Sequence, residues 1–66
     1  MRLHKALRQA ARLKHKLRRD WWQDGLSLIP SNEIQGRITV FYPGDPPEEY
    51  RPTMDDIFEN DWEVIE

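Results

Sequence analysis

Leu3, Ala6, Leu7, Ala10, Leu13 and Leu17 recur at steps of three and four, the spacing that lines one side of an α-helix. Lys5, Arg8, Arg12, Lys16 and Arg19 follow the opposite side. A helix with one apolar stripe has to lay that stripe on another element. In a chain of 66 residues without cysteine, this means one small core, because so short a chain buries only about 60% of the surface its unfolded form exposes. Neither a disulfide nor a thiolate metal site is available to compensate. Packing between subunits is the remaining source of stability, so a homo-oligomer is expected, with residues 1–66 forming one domain.

The rest of the chain supplies what the stripe covers. Leu26-Ser27-Leu28-Ile29 is a short apolar run closed by Pro30-Ser31-Asn32, and Arg37-Ile38-Thr39-Val40-Phe41-Tyr42 is β-branched and aromatic, which predicts two strands joined by a loop. Three prolines among residues 43–47 exclude a helix or an interior strand and leave a stiff exposed loop. Thr53 followed by Met54-Asp55-Asp56 reads as an N-cap with first-turn acids, opening a helix of one or two turns. Trp62-Glu63-Val64-Ile65 predicts a last strand with Trp62 and Val64 on one face. The resulting class is α+β: an N-terminal amphipathic helix packed on a small antiparallel sheet, with a short second helix before the C-terminal strand. No Gly or Pro interrupts the first helix before Gly25, so its periodicity runs on to about Arg19.

The net charge of −2 hides an asymmetry. Residues 1–20 carry eight basic side chains against Asp20 alone, a net of +7, and residues 21–66 carry eleven acids against Arg37 and Arg51, a net of −9. Such a chain neutralises itself, within a subunit or between subunits, or shows each face to a different partner. No secretory signal is visible, since the basic start never gives way to an apolar run. No window approaches the roughly 18 consecutive apolar residues of a membrane span. The cytoplasm is the expected compartment, with no membrane partner.

Motifs for catalysis are missing. His4 and His15 would stand about 16 Å apart on one continuous helix, too far to share a metal. The sequence holds no HExxH, Gly-rich phosphate loop or zinc spacing, and no Cys is present as a nucleophile. The acids Asp55, Asp56, Glu59 and Asp61 lack the central Gly of a calcium loop and read more simply as helix-end electrostatics. A non-enzymatic binding protein needing no cofactor and no metal is expected.

The aromatic residues carry more information. Trp21 and Trp22 cannot both face inward on extended backbone, because successive side chains alternate faces. One of the two is therefore available for an interface or for stacking on a ligand ring. Beside it, Arg19 is a candidate phosphate partner, since a guanidinium pairs with phosphate through two parallel hydrogen bonds.

Two stretches also match a known pattern: Lys16-Leu17-Arg18-Arg19-Asp20-Trp21-Trp22, and the run from Tyr50-Arg51-Pro52-Thr53-Met54-Asp55-Asp56 to Asp61-Trp62-Glu63-Val64-Ile65. With the Ala6-Leu7 pair, they resemble the phage and prophage domain family that contains the second type of Thoeris anti-defence protein, a sponge for cyclic ADP-ribose signals. That family has Gly where Lys14 stands and Trp where Tyr50 stands. The resemblance implies a first helix that stops near Leu13, with Lys16 to Arg19 as a strand, against the continuous periodicity. It further implies an oligomer that holds a nucleotide-derived immune signal, a cyclic ADP-ribose isomer or a cyclic dinucleotide, without degrading it. Trp22 and Tyr50 would then stack on or wall in a base, Thr53 and Asp56 would supply polar contacts, and the compartment would be the host-cell cytoplasm.

Two other classes compete. An anti-CRISPR-like inhibitor would bind an immune effector protein through the acidic C-terminal half, imitating a nucleic-acid backbone. A basic helix acting directly on nucleic acid or an anionic membrane ranks last, because its apolar stripe is needed to cover the sheet.

Overall fold

The computed structural model describes residues 1–31 and 37–66. Its elements are α1 (Leu3–Leu13), β1 (Lys16–Arg19), β2 (Ser27–Pro30), β3 (Ile38–Phe41), β4 (Glu48–Glu49), α2 (Met54–Phe58) and β5 (Trp62–Ile65). The five strands form one antiparallel sheet in the order β4-β3-β2-β1-β5. This is the α+β arrangement expected from the sequence, with α1 over the sheet and α2 leading into the last strand. The predicted strand closure at Asn32 lies outside the described residues.

Helix α1 ends at Leu13, which corrects the extension to about Arg19 that the periodicity suggests. Lys14 adopts the left-handed conformation (φ 58°, ψ 41°), its N–H bonds to the Ala10 carbonyl, and the His15 N–H reaches the same oxygen at 3.0 Å. The second bond and the left-handed residue are those of a Schellman C-cap, a position that glycine usually fills. With lysine there, the stop is invisible to a search for helix breakers. Leu17 fits both patterns: it is four residues beyond Leu13, and it alternates with Arg19 along β1. The sheet takes it, in register between Leu28 of β2 and Val64 of β5, fully buried. Leu13, the last helical member of the stripe, is left exposed.

The core is the seam between α1 and one sheet face. Leu3, Ala6 and Ala10 pack with Leu17, Leu28, Val40, Trp22 and Trp62. Two of the three helix residues are alanines, which lets the α1 backbone approach the sheet closely. Leu28 and Val40 are register partners across β2 and β3, so their side chains share the covered face. Strand β4 was not legible in advance: it is two exposed glutamates, paired to Thr39 and Val40 through backbone alone. The loop of residues 43–47 is exposed throughout, as three prolines require. Among the described residues no helix is long and apolar enough to cross a membrane.

Candidate functional site

Beyond β1 the chain turns sharply, with the Trp22 N–H bonded to the Arg19 carbonyl at 3.1 Å. The turn separates the two tryptophans as alternation demands: Trp22 is buried and Trp21 is 65% exposed. Trp22 meets Trp62 edge-on at a centroid distance of 5.3 Å, Tyr50 at 6.1 Å and Trp21 at 6.4 Å. Edge-to-face contacts of this kind are favourable for aromatic quadrupoles. The resulting cleft, about 350 Å³, is lined by Trp21, Trp22, Gln23, Leu26, Val40, Tyr42 and Tyr50, a size and composition suited to a small ligand. Tyr42 is shared with a neighbouring hollow of about 420 Å³ that Asp45, Pro46, Pro47 and Glu48 complete.

Beneath the aromatic wall lies a charge cluster that holds it in place. Arg19 is 4% exposed. It donates from Nε to Asp61 Oδ1 at 2.7 Å, from Nη2 to Asp61 Oδ2 at 3.0 Å, and from Nη1 to Asp55 Oδ2 at 2.8 Å and Asp56 Oδ1 at 3.0 Å. The guanidinium also sits over the Trp21 ring, 5.2 Å from its centroid. Asp56 is the hub for everything else. Its Oδ2 accepts from the Tyr50 hydroxyl and from the Thr53 N–H, its own N–H donates to Thr53 Oγ1, and its carbonyl accepts from Trp62 Nε1 at 2.8 Å. The Thr53–Asp56 exchange is the capping box that opens α2.

The titration of these groups follows from the contacts. Hydrogen bonding to Asp61 raises the Arg19 pKa further above its ordinary value, although burial opposes this. Burial alone would raise the Asp56 pKa, but hydrogen bonds from Tyr50, Thr53 and Arg19 outweigh it and hold the carboxyl below its usual value. Asp61 is held low by its hydrogen bonds from Arg19. Tyr50 is raised, first by burial and then by its bond to the Asp56 carboxylate.

The sequence-derived site residues thus divide. Trp22 and Tyr50 come together in the cleft wall. Thr53 and Asp56 lie behind it with their polar groups turned on each other and on Tyr50 and Arg19, so they position the wall rather than line it. Arg19, expected to face a phosphate, is buried among three carboxylates of its own chain and is not a lining residue. The reason is topological: β1 pairs with β5, and at the Arg19 end of that pair the acids of α2 and of the β5 entry converge on one side chain. Trp21, with the Arg19 guanidinium against its ring, is the tryptophan that keeps ring surface open to solvent. Gln23, Leu26, Val40 and Tyr42 went unread as site residues, because nothing local distinguishes them until β2 and β3 fold beside the turn. His15 lies beyond α1, so the two histidines do not share a helix. Among the described residues no group of three or more His, Cys, Asp or Glu is placed to hold a metal ion; the Asp55, Asp56 and Asp61 carboxylates already surround a cation.

Fold and site together define a small α+β domain with an aromatic cleft held from behind by a buried arginine and its carboxylates. The chain matches no protein-family model, no curated protein and no solved structure.

Proposed function

We propose that this chain is a phage-type anti-defence protein that sequesters a nucleotide-derived immune signal, a cyclic ADP-ribose isomer or a cyclic dinucleotide, without degrading it. The observation that carries the reading is the preformed cleft, in which Trp22 and Tyr50 form the wall while Trp21 and Tyr42 offer exposed ring surface. A nucleobase stacks on such surfaces whatever its identity, each stacked base contributing about 1–3 kcal/mol. Tyr50 is preorganised for the task, since its hydroxyl is tied to Asp56. Among the described residues no cation lines the cleft, so the phosphates of the ligand remain on its solvent side. Sequestration depletes a signal only where protein exceeds ligand, so tight affinity and abundance take the place of turnover.

Calorimetry with cyclic ADP-ribose isomers and cyclic dinucleotides tests this directly, followed by chromatography of the released ligand. Saturable binding with the ligand recovered intact is expected; no heat from any of them at micromolar protein sinks the proposal.

A second reading is an anti-CRISPR-like inhibitor of an immune effector complex, favoured by the exposed acids Asp45, Glu48, Glu49 and Glu59. Its test is a stable complex with a Cas effector that is lost when those four are neutralised, with Asp56 left intact because it holds the fold.

A further inference from the structure

The charge asymmetry is only half resolved within the chain. Among the described residues the ion pairs run from Arg18 and Arg19, to Asp24, Glu63, Asp55, Asp56 and Asp61. Lys5, Arg8 and Arg12 on the outer side of α1 are exposed and take part in none of them. With Gln9 they border a shallow depression of about 290 Å³, whose sides are the aliphatic stems of long basic residues, apolar along their length and charged only at the tip.

Helix α2 carries the reverse pattern. Met54 is 66% exposed, Ile57 46% and Phe58 63%. Spaced i, i+3 and i+4, they make one apolar face on a five-residue helix, with the exposed acids Asp55 and Glu59 at its margins. Three large apolar side chains bared together on so small a protein mark an interaction surface. The two helices pack against each other, so the two surfaces lie on neighbouring elements of the same protomer.

We propose that these surfaces form a two-fold interface with a second copy of the chain, in which α2 of each protomer docks on the outer side of α1 of the other. Phe58 and its neighbours enter the depression between the basic stems, and Asp55 and Glu59 meet the heads of Lys5, Arg8 and Arg12. The α1 surface is the basic, groove-bearing partner that the α2 surface asks for, and a two-fold axis satisfies both halves twice. The interface involves no cleft residue, and it stands or falls independently of the ligand proposed above.

Sedimentation of the full chain tests it. The wild type is expected to run at twice the 8.0 kDa chain mass at micromolar concentration. Dissociation should increase as salt is raised from about 0.1 M to about 1 M, where the screening length falls from about 10 Å to about 3 Å. Met54→Ser with Phe58→Ser should weaken association by about tenfold or more, the effect of losing central apolar anchors. Arg8→Glu with Arg12→Glu should weaken it, and so should Glu59→Lys. An equimolar mixture of these last two proteins should recover the dimer, because each reversed surface then meets its complement and each unaltered one does too. All these side chains are exposed, and unchanged far-ultraviolet circular dichroism verifies that the variants fold. A monomeric wild type, a dimer indifferent to the α2 variant, growth beyond a dimer, or no recovery on mixing overturns the proposal.

Discussion

Arg19 grips Asp61 through two parallel hydrogen bonds, Nε to Oδ1 at 2.7 Å and Nη2 to Oδ2 at 3.0 Å, across 42 positions of sequence. The same guanidinium reaches Asp55 and Asp56 on α2, so one side chain ties β1 to the second helix and to the entry of β5. Paired geometry of this kind is the strong form of a charge-assisted hydrogen bond. Arg19→Met removes the cation and leaves Asp56 buried beside two further carboxylates. A loss of about 3–5 kcal/mol is expected, the usual effect of stripping one partner from a buried pair, and urea denaturation followed by tryptophan fluorescence measures it.

Acid should unfold the protein through the same cluster. Asp56 and Asp61 have folded-state pKa values below their unfolded ones. Their contribution is therefore present above the unfolded carboxylate value of about 4 and is lost as the pH falls from there through the lower folded values. Tyr50 behaves oppositely: its pKa is raised, so its contribution is present below about pH 10 and is lost as the pH climbs through the folded value. Stability measured against pH should hold level from about pH 5 to about pH 9 and fall on both sides. Asp61→Asn should flatten the acid limb, and Tyr50→Phe the alkaline one.

Lys14 at φ 58° occupies a conformation that costs an L-residue roughly 1–2 kcal/mol and costs glycine almost nothing. Lys14→Gly should accordingly raise stability by about 1 kcal/mol, less the added entropy of the unfolded chain. Lys14→Val should lower it. Thermal melting of the two variants against the wild type reads both effects, and a stabilising valine would contradict this account of the helix end.

The cleft aromatics should differ in how far they separate binding from folding. Trp22 is a core residue, and Trp22→Ala is expected to destabilise by about 3–5 kcal/mol. Its effect on ligand binding would then be indistinguishable from unfolding. Trp21→Ala and Tyr42→Ala remove exposed ring surface from the same cleft. Tyr42→Ala should leave the melting temperature within a few degrees of wild type, Trp21→Ala should lower it further because the ring also covers Arg19, and each should weaken a stacked ligand by about tenfold, as read by calorimetry.

Much of this fold was legible from local pattern. The apolar stripe of residues 3–13, the alternation at Ile38 to Phe41 and at Trp62 to Ile65, and the Thr53 cap each depend on neighbours within a few positions, so each could be placed without knowing the rest. The resemblance to the signal-sponge family added the stop near Leu13, which the periodicity contradicted. In the site, the pairing of Trp22 with Tyr50 and the capping by Thr53 were expected, whereas the turning of Asp56 and Arg19 toward each other, away from the cleft, was not. Sequence chemistry names a guanidinium as a phosphate partner; only the position of three carboxylates decides whether it is already taken.

By itself the sequence determined the α+β class, the single small core and the division of charge between the first twenty residues and the rest. Those follow from side-chain spacing, which every copy of the chain carries whether folded or not. The tertiary structure alone decided that Leu17 joins the sheet, that Lys14 bends the chain, that Arg19 turns inward while Trp21 stays out, and that Tyr42 completes the cleft. Each of these is a contest between two locally acceptable arrangements. The register of β1 between β2 and β5 settles them, because it places one set of side chains against partners far away in sequence.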